Sequence, residues 1–126
     1  MCIRDSNKMN KEDRIQKVNQ AIEWVGLTNK RNSKPNMLSG GECQRTAIAR
    51  ALVHDPVLVM ADEPTANLDA ENSHNIMKIL TKLNKELDTS FVFATHEEKI
   101  MGYLKRIIRL EDGKIIDDKN MTEGNL

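Results

Sequence analysis

Leu38-Ser39-Gly40-Gly41-Glu42-Cys43-Gln44-Arg45 is the stretch from which the rest of the chain can be read. A serine and two glycines ahead of helix-forming residues mark a turn that opens a helix. The first N–H groups of a helix have no intrahelical partner, and its dipole places positive charge there, so such a turn suits an anion such as a phosphate. Ser39 and Glu42 also stand at capping-box spacing, which on its own describes an ordinary helix start. Downstream, Val57-Leu58-Val59-Met60-Ala61 is continuously apolar and ends in Asp62-Glu63. An acidic pair at the end of a buried strand is a place to hold Mg²⁺ on a phosphate and a water poised for attack.

Outward from these two points, the apolar spacing lays out the elements. Ile15, Val18, Ile22 and Val25 recur every three or four residues and predict a helix from Lys11, closed by Gly26. Leu27 to Asn36 is polar and contains Pro35, as a connecting loop does. The helix after the Ser39-Gly40-Gly41 turn takes Ala47, Ile48, Ala51 and Leu52 as its apolar face and stops before Pro56. The run 57–61 predicts a strand covered on both faces. Residues 70–87 predict a second amphipathic helix, with Ile76, Ile79, Leu80, Leu83 and Leu87 on one side. Phe91-Val92-Phe93-Ala94 predicts another buried strand, followed by a short helix over 97–104. Asp112-Gly113, between 106–110 and 114–117, predicts a hairpin turn. Strands alternating with helices imply a parallel sheet and the α/β class.

Composition narrows the possibilities. A chain of 126 residues is enough for one domain with a modest core. Hydrophobic residues make up 39% but aromatics only 3%, so that core must rest on Ile, Leu, Val, Met and Ala. Lys+Arg and Asp+Glu both number 19, a balance that argues against a dedicated nucleic-acid binder. Cys2 and Cys43 lie far apart without metal-site spacing, which fits a reduced, cytosolic setting. No apolar stretch is long enough to cross a bilayer, and residues 1–6 lack the apolar centre of a signal peptide. Work at a membrane would therefore require something else to hold the chain there.

Leu38 to Arg45, with Ala47-Ile48-Ala49-Arg50-Ala51-Leu52 after it, closely resembles the signature of ABC-type ATPases, and Asp62-Glu63 resembles their Walker B element. Ala66-Asn67-Leu68-Asp69 is similar to the family's D-loop, and His96 in Phe93-Ala94-Thr95-His96-Glu97 to its switch histidine. The likeness runs from about Lys11 to Asp118 and corresponds to the C-terminal half of a nucleotide-binding domain. It implies an α/β fold, the second half of an ABC-type P-loop NTPase: parallel core strands flanked by helices, part of the helical subdomain, and a C-terminal hairpin. Residues 1–10 are an unassigned tail, 11–41 part of the helical subdomain ending in the signature turn, and 42–126 the second half of the ATPase core.

The resemblance also implies roles. Glu63 polarises the attacking water, His96 contacts the γ-phosphate, and Asp62 orients water around Mg²⁺; ATP and Mg²⁺ are the expected cofactors. Ser39, Gly40, Gly41, Glu42 and Gln44 face the ATP of a partner domain, and Asp69 of the D-loop couples the two sites. Asp69 also has the position of a helix cap before Ala70. Two such domains meet head to tail, so a homodimer is expected, docked on transmembrane permease subunits at the inner face of the cell membrane. Val25-Gly26-Leu27 and the run 61–69 most resemble the lipoprotein-releasing and macrolide-export subgroup. Cys43 stands where relatives usually have Gln, on the helix rather than in the turn. His54 and His74 match nothing and read as surface residues.

No G-x-x-x-x-G-K-[ST] occurs in the chain, and the family's Walker A loop, adenine-stacking aromatic and glutamine loop have no counterpart in it. The expectation is a piece of a longer ATPase that on its own neither binds ATP tightly nor hydrolyses it. Two other readings share the signature. A chromosome-maintenance or DNA-repair ATPase would carry long heptad arms beside it, whereas one short helix precedes it here. A non-catalytic, truncated half-domain that binds a partner would have the same ancestry without the chemistry.

Overall fold

The structure, a computed structural model, describes residues 9–121. Residues 1–8 of the unassigned tail, and 122–126 at the other end, lie outside that range. Helix α1 (Lys11–Trp24) starts on Asn10, whose side chain accepts the Asp13 N–H, and ends in a left-handed turn at Gly26 with φ +69°. Two 3₁₀ turns, Thr28–Lys30 and Pro35–Met37, carry the polar connection. Helix α2 (Gly40–Leu52) leads into strand β1 (Leu58–Asp62), then α3 (Ala70–Leu87) and strand β2 (Ser90–Ala94). A 3₁₀ segment, Glu98–Tyr103, replaces the short helix expected over 97–104. Strands β3 (Arg106–Glu111) and β4 (Lys114–Asn120) form the expected hairpin. Asp112 and Gly113 at its turn both have positive φ, the pattern of a type I′ turn.

The β1 and β2 strands pair in parallel, Leu58 beside Ser90 through Asp62 beside Ala94. The β3–β4 hairpin is a separate antiparallel pair, with a register shift at Arg109/Leu110. The α/β class and the parallel arrangement are as the alternation predicts.

The core lies between the three helices and one face of the β1–β2 pair. Ala21, Val25, Leu27, Ile48, Ala49, Leu52, Ile76, Met77, Leu80, Leu83 and Ile100 are buried there, and Val59, Phe91 and Phe93 pack onto them from the strands. Three expectations about burial are corrected. Helix α1 buries Ala21 and Val25, near its C-terminal end, while Ile15 and Val18 are exposed. In α2 the inner face is Ile48, Ala49 and Leu52, with Ala47 and Ala51 outside. Strands β1 and β2 are covered on one face only: Val59, Phe91 and Phe93 turn inward, whereas Leu58, Met60 and Val92 are exposed. An apolar run matches a two-sided strand in sequence, but helices among the described residues cover only one side. His54 and His74 are on the surface, His74 edge-on to Tyr103 with ring centroids 5.4 Å apart.

Candidate functional site

Parallel pairing delivers the loops after β1 and β2 to the same edge, the carboxyl ends of the strands, where open α/β sheets bind their ligands. The Glu63 N–H donates to Ala94 O at 2.8 Å and extends the ladder by one bond. The chain then turns sharply, with Glu63 itself at φ +47°. A non-glycine residue in the left-handed region costs on the order of 1 kcal/mol and persists only where its surroundings hold it.

They hold it from the neighbouring strand. His96 Nδ1 lies 2.5 Å from Glu63 Oε1, and the Thr95 hydroxyl donates to Glu63 Oε2 at 3.0 Å. The contact with His96 first, and then that with Thr95, keeps the Glu63 carboxyl below its ordinary range despite partial desolvation. An ionised carboxylate only accepts, so Nδ1 is the donor, and Nε2 is turned away from Glu63 on a side chain 87% exposed. Asp62 stands exposed at the end of β1, beside this pair.

Glu97 lies beside the pair. One of its carboxylate oxygens accepts from the hydroxyl of Thr65, a residue with no exposed surface, and the other meets Lys99 Nζ at 3.1 Å. These two contacts, Thr65 first, hold Glu97 below the usual carboxylate range. Its N–H donates to the Thr95 hydroxyl at 3.1 Å. Sequence reasoning singled out Glu63 and His96 but not Thr65, Thr95 or Glu97. The available signal was spacing: Glu63/Thr65 and Thr95/Glu97 are two residues apart, on the ends of paired strands.

The Ser39-Gly40-Gly41 turn forms a second group. Ser39 Oγ accepts the Glu42 N–H at 3.2 Å and Glu42 Oε2 accepts the Ser39 N–H at 2.9 Å, so the capping box is closed. That backbone contact, and then Lys30 at 3.7 Å, hold Glu42 below its ordinary range. With the Ser39 N–H taken by Glu42, the turn's donors for an anion are the Gly40 and Gly41 N–H groups and the Ser39 hydroxyl proton. Gln44 is half-buried one turn along the helix. Gly41 is buried against α3: a β-carbon there would stand 2.4 Å from Asn72 Oδ1. A β-carbon at Gly40 would make only an ordinary contact, 3.6 Å from Leu68. Asp69 caps α3, accepting the Asn72 N–H at 2.7 Å and its carboxamide at 3.1 Å. The turn and the segment 68–72 are thus packed together, while Asp62, Glu63 and His96 gather at the strand ends. Cys43 is exposed on the first turn of α2.

No group of three or more His, Cys, Asp or Glu side chains suited to a metal occurs among the described residues. An exposed carboxylate such as Asp62 beside a second one does fit Mg²⁺, which keeps several waters and is usually held by one or two carboxylates plus substrate phosphates. No described helix is long and apolar enough to cross a membrane.

Comparison with known proteins agrees with this geometry. Residues 2–66 match the family model described as ABC transporter. The chain is 48% identical over 105 residues to the macrolide export ATP-binding/permease protein MacB of Chlorobaculum tepidum, covering 83% of this chain and 16% of that one. It is 44% identical over 110 residues to the lipoprotein-releasing system ATP-binding protein LolD of Francisella tularensis, covering 87% of this chain and 48% of the relative. It thus spans about half the length of the LolD relatives it matches. Among solved structures, the dimeric bacterial ABC transporter cassette MJ0796 superposes with a TM-score of 0.74 at 38% identity, over 89% of this chain and 49% of that chain. The cassette cbiO1 of Clostridium perfringens gives 0.86 at 31% identity, over 91% and 46%. With residues 2–66 matched by the family model and the cassette fold shared with solved structures, the chain belongs to the ABC transporter family.

Proposed function

We propose that the chain is the C-terminal half of the ATP-hydrolysing subunit of an ABC transporter, serving lipoprotein release or export. The observation that carries this reading is the Glu63 carboxylate, held ionised by His96 and Thr95 at the carboxyl ends of two parallel strands. A carboxylate so fixed can accept a proton from a water attacking the γ-phosphate, and His96, with its Nε2 side open, can meet the phosphate. Asp62 would hold Mg²⁺ through water; when bound, the ion neutralises charge on the β- and γ-phosphates. The Gly40 and Gly41 N–H groups and the Ser39 hydroxyl, with Gln44, would face the ATP of a second domain, and Asp69 would couple the two sites.

The partners that follow are a second copy and a transmembrane permease, with the chain on the cytoplasmic face. MJ0796 is dimeric and the MacB relative is an ATP-binding/permease protein, which supports both. Since these 126 residues contain no G-x-x-x-x-G-K-[ST], they should by themselves neither bind ATP tightly nor turn it over, and an ATPase assay on them checks this.

A chimera tests the reading. The N-terminal half of the Francisella LolD relative, joined ahead of Lys11, should give Mg²⁺-dependent ATP hydrolysis. Glu63→Gln should lower it by about 10²–10⁴-fold, the usual share of a general base. Turnover unaffected by Glu63→Gln would reject the assignment. Mixed dimers provide a second check on the head-to-tail arrangement. Ser39→Arg in one protomer should silence the site completed by its partner, and unchanged turnover per site would refute that arrangement.

A further inference from the structure

Beside the Glu63–His96 pair is a set of contacts, centred on Glu97, that the proposed chemistry does not use. The Thr65 hydroxyl, fully buried, donates to Glu97, and Lys99 takes that carboxylate's other oxygen. The Glu97 N–H donates to Thr95 Oγ1, and the same hydroxyl donates to Glu63. His96 sits between Thr95 and Glu97, its ring carried outside these contacts. The loops after β1 and β2 are therefore tied twice, Glu63 to Thr95 and Thr65 to Glu97, with His96 on the segment between the ties.

We propose that Glu97, anchored by Thr65, is a positioning residue that holds the His96 ring against the Glu63 carboxylate. A largely exposed imidazole has several rotamers open to it, and one hydrogen bond to an exposed partner restrains it weakly. What restrains it here is the backbone on either side. Residue 95 is fixed through its hydroxyl, and residue 97 through both its N–H and its carboxylate. Thr65 is suited to anchor this arrangement because it is buried and β-branched, with a single stiff torsion ahead of the hydroxyl. Glu97 touches neither nucleotide nor water in this scheme; it acts through His96. The proposal deepens the ATPase reading and rests on it for its catalytic consequence, while its geometric content stands apart from that reading.

The test reads the geometry without nucleotide. In the full chain labelled with ¹⁵N-histidine, the His96 ring nitrogens should show one fixed tautomer, with the proton on Nδ1. Glu63→Ala supplies the spectrum of the released ring. Thr65→Val and Glu97→Ala should each move the His96 signals most of the way to that reference, leaving those of His54 and His74 in place. Thr65→Ser and Glu97→Gln, which keep the donor and the acceptor, should restore the original spectrum even if a harsher variant fails to fold. A His96 signal unmoved by Thr65→Val in a folded chain would overturn the proposal. In the LolD chimera the same valine variant should lower kcat about tenfold with KM for ATP unchanged, and serine should recover it. Unchanged kcat there, with Glu63→Gln still inactivating, would remove the positioning role while leaving the ATPase reading intact.

Discussion

At Gly41 a single missing methyl group decides how two elements meet. The β-carbon of any other residue would stand 2.4 Å from Asn72 Oδ1 and 2.8 Å from Cγ, inside contact distance. Asn72 would have to rotate, giving up its carboxamide bond to Asp69. Gly41→Ala should therefore destabilise the chain by about 1–3 kcal/mol. Adding Asn72→Ala should recover part of the loss, a non-additivity that thermal unfolding of the four variants of a double-mutant cycle would reveal. The sequence marks Gly41 as part of a candidate anion-binding turn, and the resemblance assigns it to nucleotide. Its packing duty was not legible, because it depends on a neighbour 31 positions away that no local pattern marks. Thr65 and Glu97 were hidden for the same reason: their pairing spans 32 positions and exists only once β1 and β2 are side by side.

At the scale of elements, periodicity located the three α-helices, took the 3₁₀ segment Glu98–Tyr103 for a fourth, and misjudged which part of each face is covered. The stripe of α1 runs its full length in sequence, yet the neighbouring elements bury only Ala21 and Val25, with Ile22 and Trp24 packed beside them. Beyond that the helix runs on with Ile15 and Val18 exposed. A spacing rule reports which residues share a side, not how far the neighbouring element extends. Substitutions should separate the two cases. Leu83→Ala, at the centre of the core, should cost about 2–5 kcal/mol, while Ile15→Ser should stay within about 0.5 kcal/mol. Denaturant unfolding measures both; comparable losses would mean that α1 is covered along its whole length. The hairpin was read with more success because Asp112-Gly113 carries its own backbone preference, independent of tertiary contacts.

Across the whole molecule, the α/β class and the order of elements were legible, since both follow from alternating patterns that every segment shares. The one-sided covering of the β1–β2 pair was not, because an apolar run reads alike whether one face is packed or two. Leu58, Met60 and Val92 form an exposed apolar face, with Met60 75% accessible. The chain should accordingly bind a hydrophobic dye in its folded state, and Met60→Ser should reduce the dye signal and slow aggregation without lowering the melting temperature. Charge sets a second property of the whole. Glu42, Glu63, Glu97, Asp117 and Asp118 all titrate below their ordinary range, through hydrogen bonds to the Ser39 backbone, His96, Thr65, Lys119 and Arg106 respectively. A carboxyl group depressed on folding stabilises the native state above its unfolded pKa and loses that contribution as pH falls through the folded value. The melting temperature should thus be level from neutral pH to about 5 and fall below about 4, where unfolded carboxylates take up protons. A curve that rises on acidification would contradict these assignments.

The parallel register of β1 and β2 has a consequence for alignment. Strands advance about 3.3 Å per residue and alternate faces, so a slip of one residue would turn Phe91 and Phe93 out to solvent. The same slip would carry His96 away from Glu63 by more than the length of the hydrogen bond that joins them. The two phenylalanines, partly buried against the helices on the inner face of the sheet, thus act as a vernier for the chemistry. They gauge, by nothing more than their aversion to water, where a histidine comes to rest.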